Sequence, residues 1–237
     1  MKAAVYRGGP TLAVEEVAIP EIADDEILVK VAACGVCHTD LHYLDHGVPT
    51  FKKPPLTLGH EASGIIARAG RGVNSVREGD RVLLPAVVTC GHCVMCREGR
   101  ENICMNMKMF GNHIDGAFAE YVKAPAKDAI PLPLDLPLEE SCIIADALST
   151  PFHAVRNRAR VLPGDTVAVF GCGGVGINVV QIAVACGAKV LAVDVSPEKL
   201  ELAVAFGASE AILPKEGENV AKTIRGKTDV GVDVALE

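Results

Sequence analysis

The sequence predicts an α/β protein in two parts, a β-rich, barrel-like domain followed by a doubly wound parallel sheet. Up to about residue 133, short apolar runs are separated by Gly, Pro and Asp, which is typical of barrels and sandwiches. From residue 166 onward, strand-like and helix-like segments alternate, which indicates a parallel sheet. The chain has 237 residues, of which 49% are hydrophobic and 22% charged, so it can bury a substantial core in one large or two small domains.

The apolar runs of the first part predict strands at residues 3–6, 12–17, 27–31, 65–67 and 82–84. The composition changes at Leu138, and the Ala-rich residues 139–155 predict a helix. We therefore expect one domain over residues 1–153 and a second over residues 154–237.

The second part predicts strands at residues 166–170, 190–193, 211–213 and 232–236, with helices at 174–186 and 216–225 between them. A further helix has a complete set of boundary signals, with Ser196 as its cap, Pro197 at its first position and Gly207 just past its end. Four parallel strands are fewer than the six of a complete dinucleotide-binding domain. We therefore expect the first four strands of such a domain.

The net charge and the N-terminal sequence limit which classes of partner and which cellular location we expect. Lys and Arg number 23 against 30 Asp and Glu, a net charge of −7, which disfavours nucleic acid and anionic lipid as partners. Residues 166–188 carry no charge, but five glycines interrupt them, so they indicate a strand, a turn and a helix rather than a membrane span. The N-terminus lacks the apolar run of a secretory signal, and nine cysteines suggest thiols or metal ligands. We expect a cytoplasmic protein that acts on a small molecule.

The strongest motif is a four-cysteine loop, which places four thiols within fifteen residues: Cys90, Cys93, Cys96 and Cys104. Zinc accepts four thiolates tetrahedrally, and a site with four protein ligands has no open position. We expect a structural zinc ion here. The alternative of a zinc ribbon that contacts a partner or nucleic acid has only a few basic residues nearby to support it.

A second constellation combines Cys37 with His60, 23 residues later. A catalytic zinc needs about three protein ligands and one open position, and these two side chains would supply two of the ligands. Asp40 could hold the far nitrogen of His60, as carboxylates often do for a ligating imidazole. Taken alone, the pair is weak evidence, and a structural histidine is the better explanation of His60; the accompanying motifs change that preference.

A glycine-rich turn, GCGGVG, follows the strand at 166–170 and opens the next helix, which is the required context for a dinucleotide-binding motif. Its residues are Gly171, Cys172, Gly173, Gly174, Val175 and Gly176. The helix start would present free N–H groups to a pyrophosphate. Asp194, at the end of the next strand, would accept hydrogen bonds from a ribose 2′-hydroxyl and repel a 2′-phosphate, which favours NAD over NADP.

Together these motifs resemble the zinc-dependent medium-chain alcohol dehydrogenases. The resemblance rests on CGVCHTDLH at residues 34–42, GHEASG at 59–64, the four-cysteine loop and the glycine-rich turn, and it covers nearly the whole chain. It implies a GroES-like, partly open β-barrel, a Rossmann domain, and oxidation of an alcohol by NAD to an aldehyde or ketone. It also implies a homodimer or homotetramer. Because family members continue through further Rossmann strands, the resemblance implies a C-terminally truncated chain.

The resemblance assigns roles around the catalytic zinc. It implies that Cys37 and His60 bind the ion and that Glu61 lies beside it. Thr39 matches the hydroxyl that hydrogen-bonds the substrate oxygen, and His42 matches the relay that passes the proton to solvent.

The resemblance also assigns cofactor contacts and a third ligand. His38 matches a residue at the pyrophosphate, Lys199 one at the adenosine ribose, and Thr150 one that lines the nicotinamide pocket. The third zinc ligand in many members is a cysteine four residues before that Thr. In this chain that position is Asp146, and we assign Asp146 the role of third zinc ligand, with Cys142 as the weaker candidate.

Two other hypotheses remain open. The substrate could instead be a polyol or a hydroxyacyl-CoA, or the chain could be an inactive, zinc-stabilised fragment with a binding or scaffold role. The remaining histidines are expected to be loop or helix-surface residues without a catalytic role: His46, His92, His113 and His153.

Overall fold

A computed structural model describes all 237 residues of the chain. They form two compact units, Met1–Asp146 and Ala147–Glu237. The division expected near residue 153 falls inside a helical segment of the second unit. Each unit has its own hydrophobic core.

The first unit is built from short strands, of which the third and fifth are the longest. The strands are β1 Lys2–Tyr6, β2 Leu12–Glu16, β3 Glu26–Gly35, β4 Leu56–Thr57, β5 Glu61–Ala69, β6 Arg81–Leu84, β7 Val87–Val88, β8 Lys108–Met109, β9 Tyr121–Pro125 and β10 Ile130–Pro131. The α-helices are α1 His38–Asp45 and α2 Val94–Arg97, and the 3₁₀ turns are Glu101–Ile103, Ala126–Asp128 and Glu140–Ala145.

These strands form antiparallel sheets. Five of them pair in the order β10-β6-β5-β3-β9, three in the order β2-β1-β4, and β7 pairs with β8. Two irregularities in the β3–β5 register, one of them between Leu28 and Val29, add local twist to the larger sheet. Apolar side chains from its strands fill the core of the unit, among them Ile27, Val29, Ile66, Val82, Leu84 and Val122.

The pairing of β3 with β5 positions the candidate site. Gly35, the last residue of β3, pairs with Glu61, the first residue of β5. Because the strands are antiparallel, the residues just after β3 and just before β5 lie at the same end of the sheet. His60 directly precedes β5, and Cys37 is the second residue after β3.

The second unit alternates helices with parallel strands. The strands are β11 Thr166–Phe170, β12 Lys189–Val193, β13 Glu210–Ile212 and β14 Val234–Leu236. The helices are α3 Ser149–Phe152, a π-helical segment His153–Arg158, α4 Gly174–Ala185, α5 Pro197–Ala205 and α6 Val220–Lys227.

The sheet of this unit has the order β13-β12-β11-β14, and all its pairings are parallel. The four predicted strands are thus confirmed. The strand order reverses at β11, and ligands of such sheets bind at the carboxyl ends of the strands beside that reversal. The boundary signals of α5 are also confirmed, since Ser196 Oγ accepts a hydrogen bond from the N–H of Lys199 and Pro197 is the first helical residue.

The continuous helix predicted over residues 139–155 is wrong. The segment is a 3₁₀ turn that ends at Ala145, a short α3 and the π-helical segment. Asp146 breaks the first turn with φ −141° and ψ −60°, outside the helical region. The Ala-rich composition indicates helix, but the backbone of Asp146 is not helical. The residues before and after it therefore do not form one continuous helix.

The uncharged residues 166–188 form β11, the glycine-rich turn and α4. No helix in the chain has the length and apolar character needed to cross a bilayer.

Candidate functional site

The four cysteines of the expected structural site lie together in the first unit. Their sulfur atoms are 3.5 to 4.0 Å apart over the pairs Cys93–Cys96, Cys90–Cys104, Cys93–Cys104 and Cys90–Cys96. Four thiolates at about 2.3 Å from one zinc ion are about 3.8 Å from each other, whereas a disulfide needs about 2.05 Å. The loop therefore has the spacing of a tetrahedral zinc site with all four positions filled by protein.

Backbone N–H groups point at these sulfurs. The N–H of Cys93 donates to Cys90 Sγ, and the N–H of Cys90 donates to Cys104 Sγ, both at 3.3 Å. Hydrogen bonds from the backbone of His92 and of Cys93 lower the pKa of the Cys90 thiol to about 5. Since the thiolate is the form that binds a metal, these hydrogen bonds favour the metal-binding form of Cys90.

A second group of possible ligands consists of Cys37, His60, Glu61 and Asp146, whose ligand atoms all lie within 4.8 Å of one another. His60 Nε2 is 3.4 Å and Cys37 Sγ is 3.9 Å from Asp146 Oδ2. Around a tetrahedral zinc ion, nitrogen and oxygen ligands are about 3.4 Å apart, and sulfur and oxygen ligands about 3.6 Å. The spacing of this group suits one such ion.

His60 provides the structural test of whether a metal fits. Its side chain is fully buried, and neither ring nitrogen has a hydrogen-bond partner of acceptable geometry. Unpartnered buried nitrogens are costly and rare in native proteins. An ion between His60 and Asp146 would satisfy Nε2, so the residues fit a metal.

The surroundings of His60 favour positive charge. Burial opposes a charge on the imidazole, but the nearby Asp146, Asp40 and Cys37 outweigh it and raise the pKa of His60 to about 12. The same negative groups would attract a metal cation into the site.

Asp40 connects the two chain segments that carry Cys37 and His60. Its Oδ2 accepts a hydrogen bond from the N–H of Cys37 at 3.1 Å, and its Oδ1 accepts one from the N–H of Gly59 at 3.3 Å. Oδ1 is also 3.7 Å from His60 Nδ1, which is an ion-pair distance rather than a hydrogen bond. Asp40 is therefore next to the far nitrogen of His60, where the sequence analysis placed it, and it also holds both backbone segments.

Glu61, the fourth member of this group, is buried. A Cβ atom added to Gly35 would overlap the Glu61 carboxylate, so only glycine at position 35 leaves room for this side chain. Sequence reasoning missed Gly35, although a glycine inside a strand often marks such a close approach.

Thr39, His38 and His42 all lie on α1, which begins directly after Cys37. Thr39 is half-buried, whereas His38 and His42 are exposed. Thr39 and His42 are three residues apart and so share one face of the helix.

The glycine-rich turn has the backbone geometry its glycines suggest. Gly171 has φ +83°, and a Cβ atom on Gly176 would overlap the carbonyl oxygen of Gly171. Gly173 caps α4, and Gly174 begins it. The start of α4 carries no side-chain cap, so its first N–H groups are available to an anion, while the Val175 side chain is exposed.

Asp194 follows β12 and is almost fully buried. Its Oδ2 accepts a hydrogen bond from the N–H of Cys172 in the glycine-rich turn at 2.6 Å, and its Oδ1 accepts one from the N–H of Ser196 at 2.8 Å. Burial opposes ionisation, but these backbone hydrogen bonds and Lys199 outweigh it and lower the pKa of Asp194. The carboxylate thus supports the turn through the backbone.

The two remaining predicted contacts are in the second unit. Lys199 is exposed in the first turn of α5, and Thr150 is exposed in α3.

Two family models match the chain. Residues 23–134 match the family model of the alcohol dehydrogenase GroES-like domain, and residues 174–237 match that of the zinc-binding dehydrogenases.

Among individual proteins, an alcohol dehydrogenase of Geobacillus stearothermophilus is 42% identical over 96% of the chain and 67% of its own length. A sorbitol dehydrogenase of Bacillus subtilis is 37% identical over 100% of the chain and 68% of its own length. A solved zinc-binding dehydrogenase structure from Sinorhizobium meliloti 1021, bound to NADP, has a TM-score of 0.89 and 37% identity over 99% of the chain and 68% of its own. The chain thus spans about two thirds of the length of these relatives.

Proposed function

Because the chain belongs to the zinc-binding alcohol dehydrogenases, we propose that it transfers hydride between an alcohol and NAD, giving an aldehyde or ketone, at the group formed by Cys37, His60 and Asp146. The observation that carries this proposal is the fully buried His60, whose nitrogens have no hydrogen-bond partner, at tetrahedral distance from an acidic ligand. Such an arrangement is suited to a metal centre.

Cys37, His60 and Asp146 would hold the catalytic zinc, and Glu61 would lie beside it. When bound, zinc supplies a Lewis acid for the alcohol oxygen, and NAD supplies the hydride acceptor. Asp40 keeps the two ligand-bearing segments in place through the N–H groups of Cys37 and Gly59.

The proton of the alcohol would leave along α1. The Thr39 hydroxyl would accept it from the substrate and pass it to His42, which is exposed and can release it to solvent. A half-buried hydroxyl followed by an exposed imidazole one turn later is a short route from a buried site to water.

The cofactor would bind at the carboxyl end of the second unit's sheet. The turn residues Gly171, Gly173, Gly174, Val175 and Gly176 would accept the pyrophosphate with their backbone N–H groups.

Side chains around that turn would hold the rest of the cofactor. Asp194 and Lys199 would contact the adenosine ribose, His38 the pyrophosphate and Thr150 the nicotinamide. The Asp194 carboxylate favours NAD, although a similar structure binds NADP.

Cys90, Cys93, Cys96 and Cys104 would hold a second, structural zinc ion. A homo-oligomer and a cytoplasmic location remain predictions, the latter resting on nine free cysteines.

Zinc content and NADH formation test the proposal on one set of variants. The unmodified protein should contain two zinc ions per chain after dialysis and should reduce NAD in the presence of a suitable alcohol. His60→Ala and Cys37→Ala should each contain one zinc ion and lose turnover, because only the four-cysteine site remains.

Cys142→Ala is the matched control, since Cys142 was the weaker candidate for the third ligand. It should keep two zinc ions, whereas Asp146→Ala should weaken the catalytic one. Full turnover by His60→Ala would contradict the proposal. One zinc ion per chain and no NADH binding in the unmodified protein would favour the scaffold hypothesis.

A polyol is the second candidate substrate class. The observation in its favour is the 37% identity to a sorbitol dehydrogenase. Comparing kcat/KM for a primary alcohol, a secondary alcohol and a polyol at equal NAD concentration distinguishes the classes.

A further inference from the structure

Helix α1 carries a row of histidines that the proposed function does not fully use. His38, His42 and His46 are four residues apart, and all three are exposed. His46 is the C-terminal cap of the helix, and its N–H donates to the carbonyl of His42 at 3.2 Å. The buried residues of α1, Asp40 and Tyr43, lie on its opposite face.

The rings of this row are close together. The centroids of His38 and His42 are 4.9 Å apart, and those of His42 and His46 are 5.3 Å apart. Residues four apart on a helix lie one above the other, with Cβ atoms about 5 to 6 Å apart, so the helix keeps neighbouring rings of the row within reach of each other.

The spacing is that of two imidazoles on one metal ion. With a metal–nitrogen distance of about 2.1 Å and the ring centre about 1.1 Å further out, two neighbouring ligands have ring centres about 4.5 to 5.3 Å apart. Pairs of histidines at i and i+4 on one helix face bind zinc in metalloproteases.

We propose that His42 and His46 form a further binding site for a divalent transition ion of the zinc and nickel type, which inhibits the enzyme when occupied. Imidazole suits zinc, copper and nickel, and water molecules would complete the coordination because the site is exposed.

His42 and His46 are the pair, rather than His38 and His42, because the proposed function has His38 contact the cofactor pyrophosphate; the choice of pair rests on that proposal. Asp45, exposed between His42 and His46 in sequence, adds a negative charge nearby.

Inhibition rests on the proposed function. If His42 passes the proton from Thr39 to solvent, a metal ion on His42 occupies the nitrogen lone pair that accepts the proton. Binding of the ion itself does not depend on that role.

A calorimetric titration of the zinc-loaded protein with Ni²⁺ tests the binding. The unmodified protein should bind one Ni²⁺ per chain, and His46→Asn should weaken this affinity at least about tenfold, because one of the two protein ligands is gone. His92→Asn, which removes an exposed histidine that lies outside this row, should bind Ni²⁺ as the unmodified protein does, provided that its zinc content is unchanged. Equal affinity in His46→Asn, or no binding to the unmodified protein, would overturn the proposal.

NADH formation in the presence of Ni²⁺ tests the inhibition. The unmodified protein should lose turnover over the concentration range in which it binds Ni²⁺, whereas His46→Asn should keep its turnover there and have an unchanged rate without Ni²⁺. Equal inhibition of both proteins would show that Ni²⁺ acts at the catalytic zinc and would overturn the inhibitory role. A protein that binds Ni²⁺ through His46 but has no dehydrogenase activity would uphold the site while contradicting the proposed function.

Discussion

Asp40 shows how one buried side chain can organise a metal site without being a ligand. Its two oxygens accept hydrogen bonds from the backbone on both sides of the site, and one of them faces His60. Its loss would therefore affect the positions of two ligands at once.

Asp40→Asn should weaken the catalytic zinc about 10- to 100-fold, the usual effect of removing a carboxylate behind a histidine ligand. The amide can still accept one hydrogen bond, so the fold should persist. Zinc retention against increasing chelator, followed by elemental analysis, measures the effect. The four-cysteine zinc is the internal control, and an unchanged affinity for the catalytic zinc would contradict the role of Asp40.

Asp194→Asn should destabilise the protein at neutral pH by about 1 to 3 kcal/mol, because the carboxylate accepts two buried backbone hydrogen bonds. The folded-state pKa of Asp194 is lowered, so its contribution is complete above the unfolded-state pKa of about 3.9 and is lost as the pH falls through the folded-state pKa.

Urea unfolding at several pH values measures this dependence. The difference between the variant and the unmodified protein should be constant near neutral pH and should shrink only below about pH 4. A difference that shrinks already near neutral pH would contradict the assignment to Asp194.

At the scale of elements, the pairing of β3 with β5 determines where Cys37 and His60 lie. Predicted as residues 27–31 and 65–67, the strands extend to Gly35 and Glu61. The extensions consist largely of small or polar residues, which have weak strand propensity and are held by cross-strand pairing. Local pattern therefore predicts the strands but misses the ends that bring Cys37 to His60.

Gly35→Ala tests this pairing. The new methyl group would overlap the Glu61 carboxylate, so either Glu61 moves or the ends of the strands separate. We expect turnover to fall at least about tenfold with the two zinc ions retained, a transition-state loss of about 1.4 kcal/mol or more. Gly47→Ala is the control, since a Cβ atom there meets no other atom, although its φ of +63° costs some stability. Full activity of Gly35→Ala would show that the position of Glu61 is unimportant.

Motifs with fixed spacing could be predicted better than contacts between distant segments. The four-cysteine loop and the glycine-rich turn are each contained in fifteen residues or fewer, so their geometry follows from local sequence. Asp146 is 86 residues after His60, and only the resemblance, not its spacing, indicated it. The broken helix at residues 139–155 was missed because composition indicates helix and does not specify where Asp146 leaves it.

At the scale of the whole molecule, the two expected zinc sites differ in how completely the protein encloses them. Each group brings four possible ligand side chains together. The proposed function uses all four cysteines as ligands in one group, but only Cys37, His60 and Asp146 in the other. A site with fewer protein ligands releases its ion more easily.

As the chelator concentration is raised, the protein should therefore lose its turnover before it loses its secondary structure. We expect the first zinc ion per chain to leave together with turnover while the far-ultraviolet circular dichroism stays unchanged, and the second to leave only when the first unit begins to unfold. Zinc content, activity and circular dichroism measured on the same samples check the order. Simultaneous loss of all three would mean that the sites do not differ in this way.

The close approach of the four sulfurs has a consequence for handling the protein. Once the ion is removed, Cys93 and Cys96 are 3.5 Å apart, as are Cys90 and Cys104, so a small movement and a two-electron oxidant such as glutathione disulfide would join them as disulfides. The bound ion thus protects these thiols from oxidation, and zinc added later could not re-enter a bridged loop. Reductant present before the chelator should preserve reconstitution, whereas reductant added only after oxidation must first reopen the bridges.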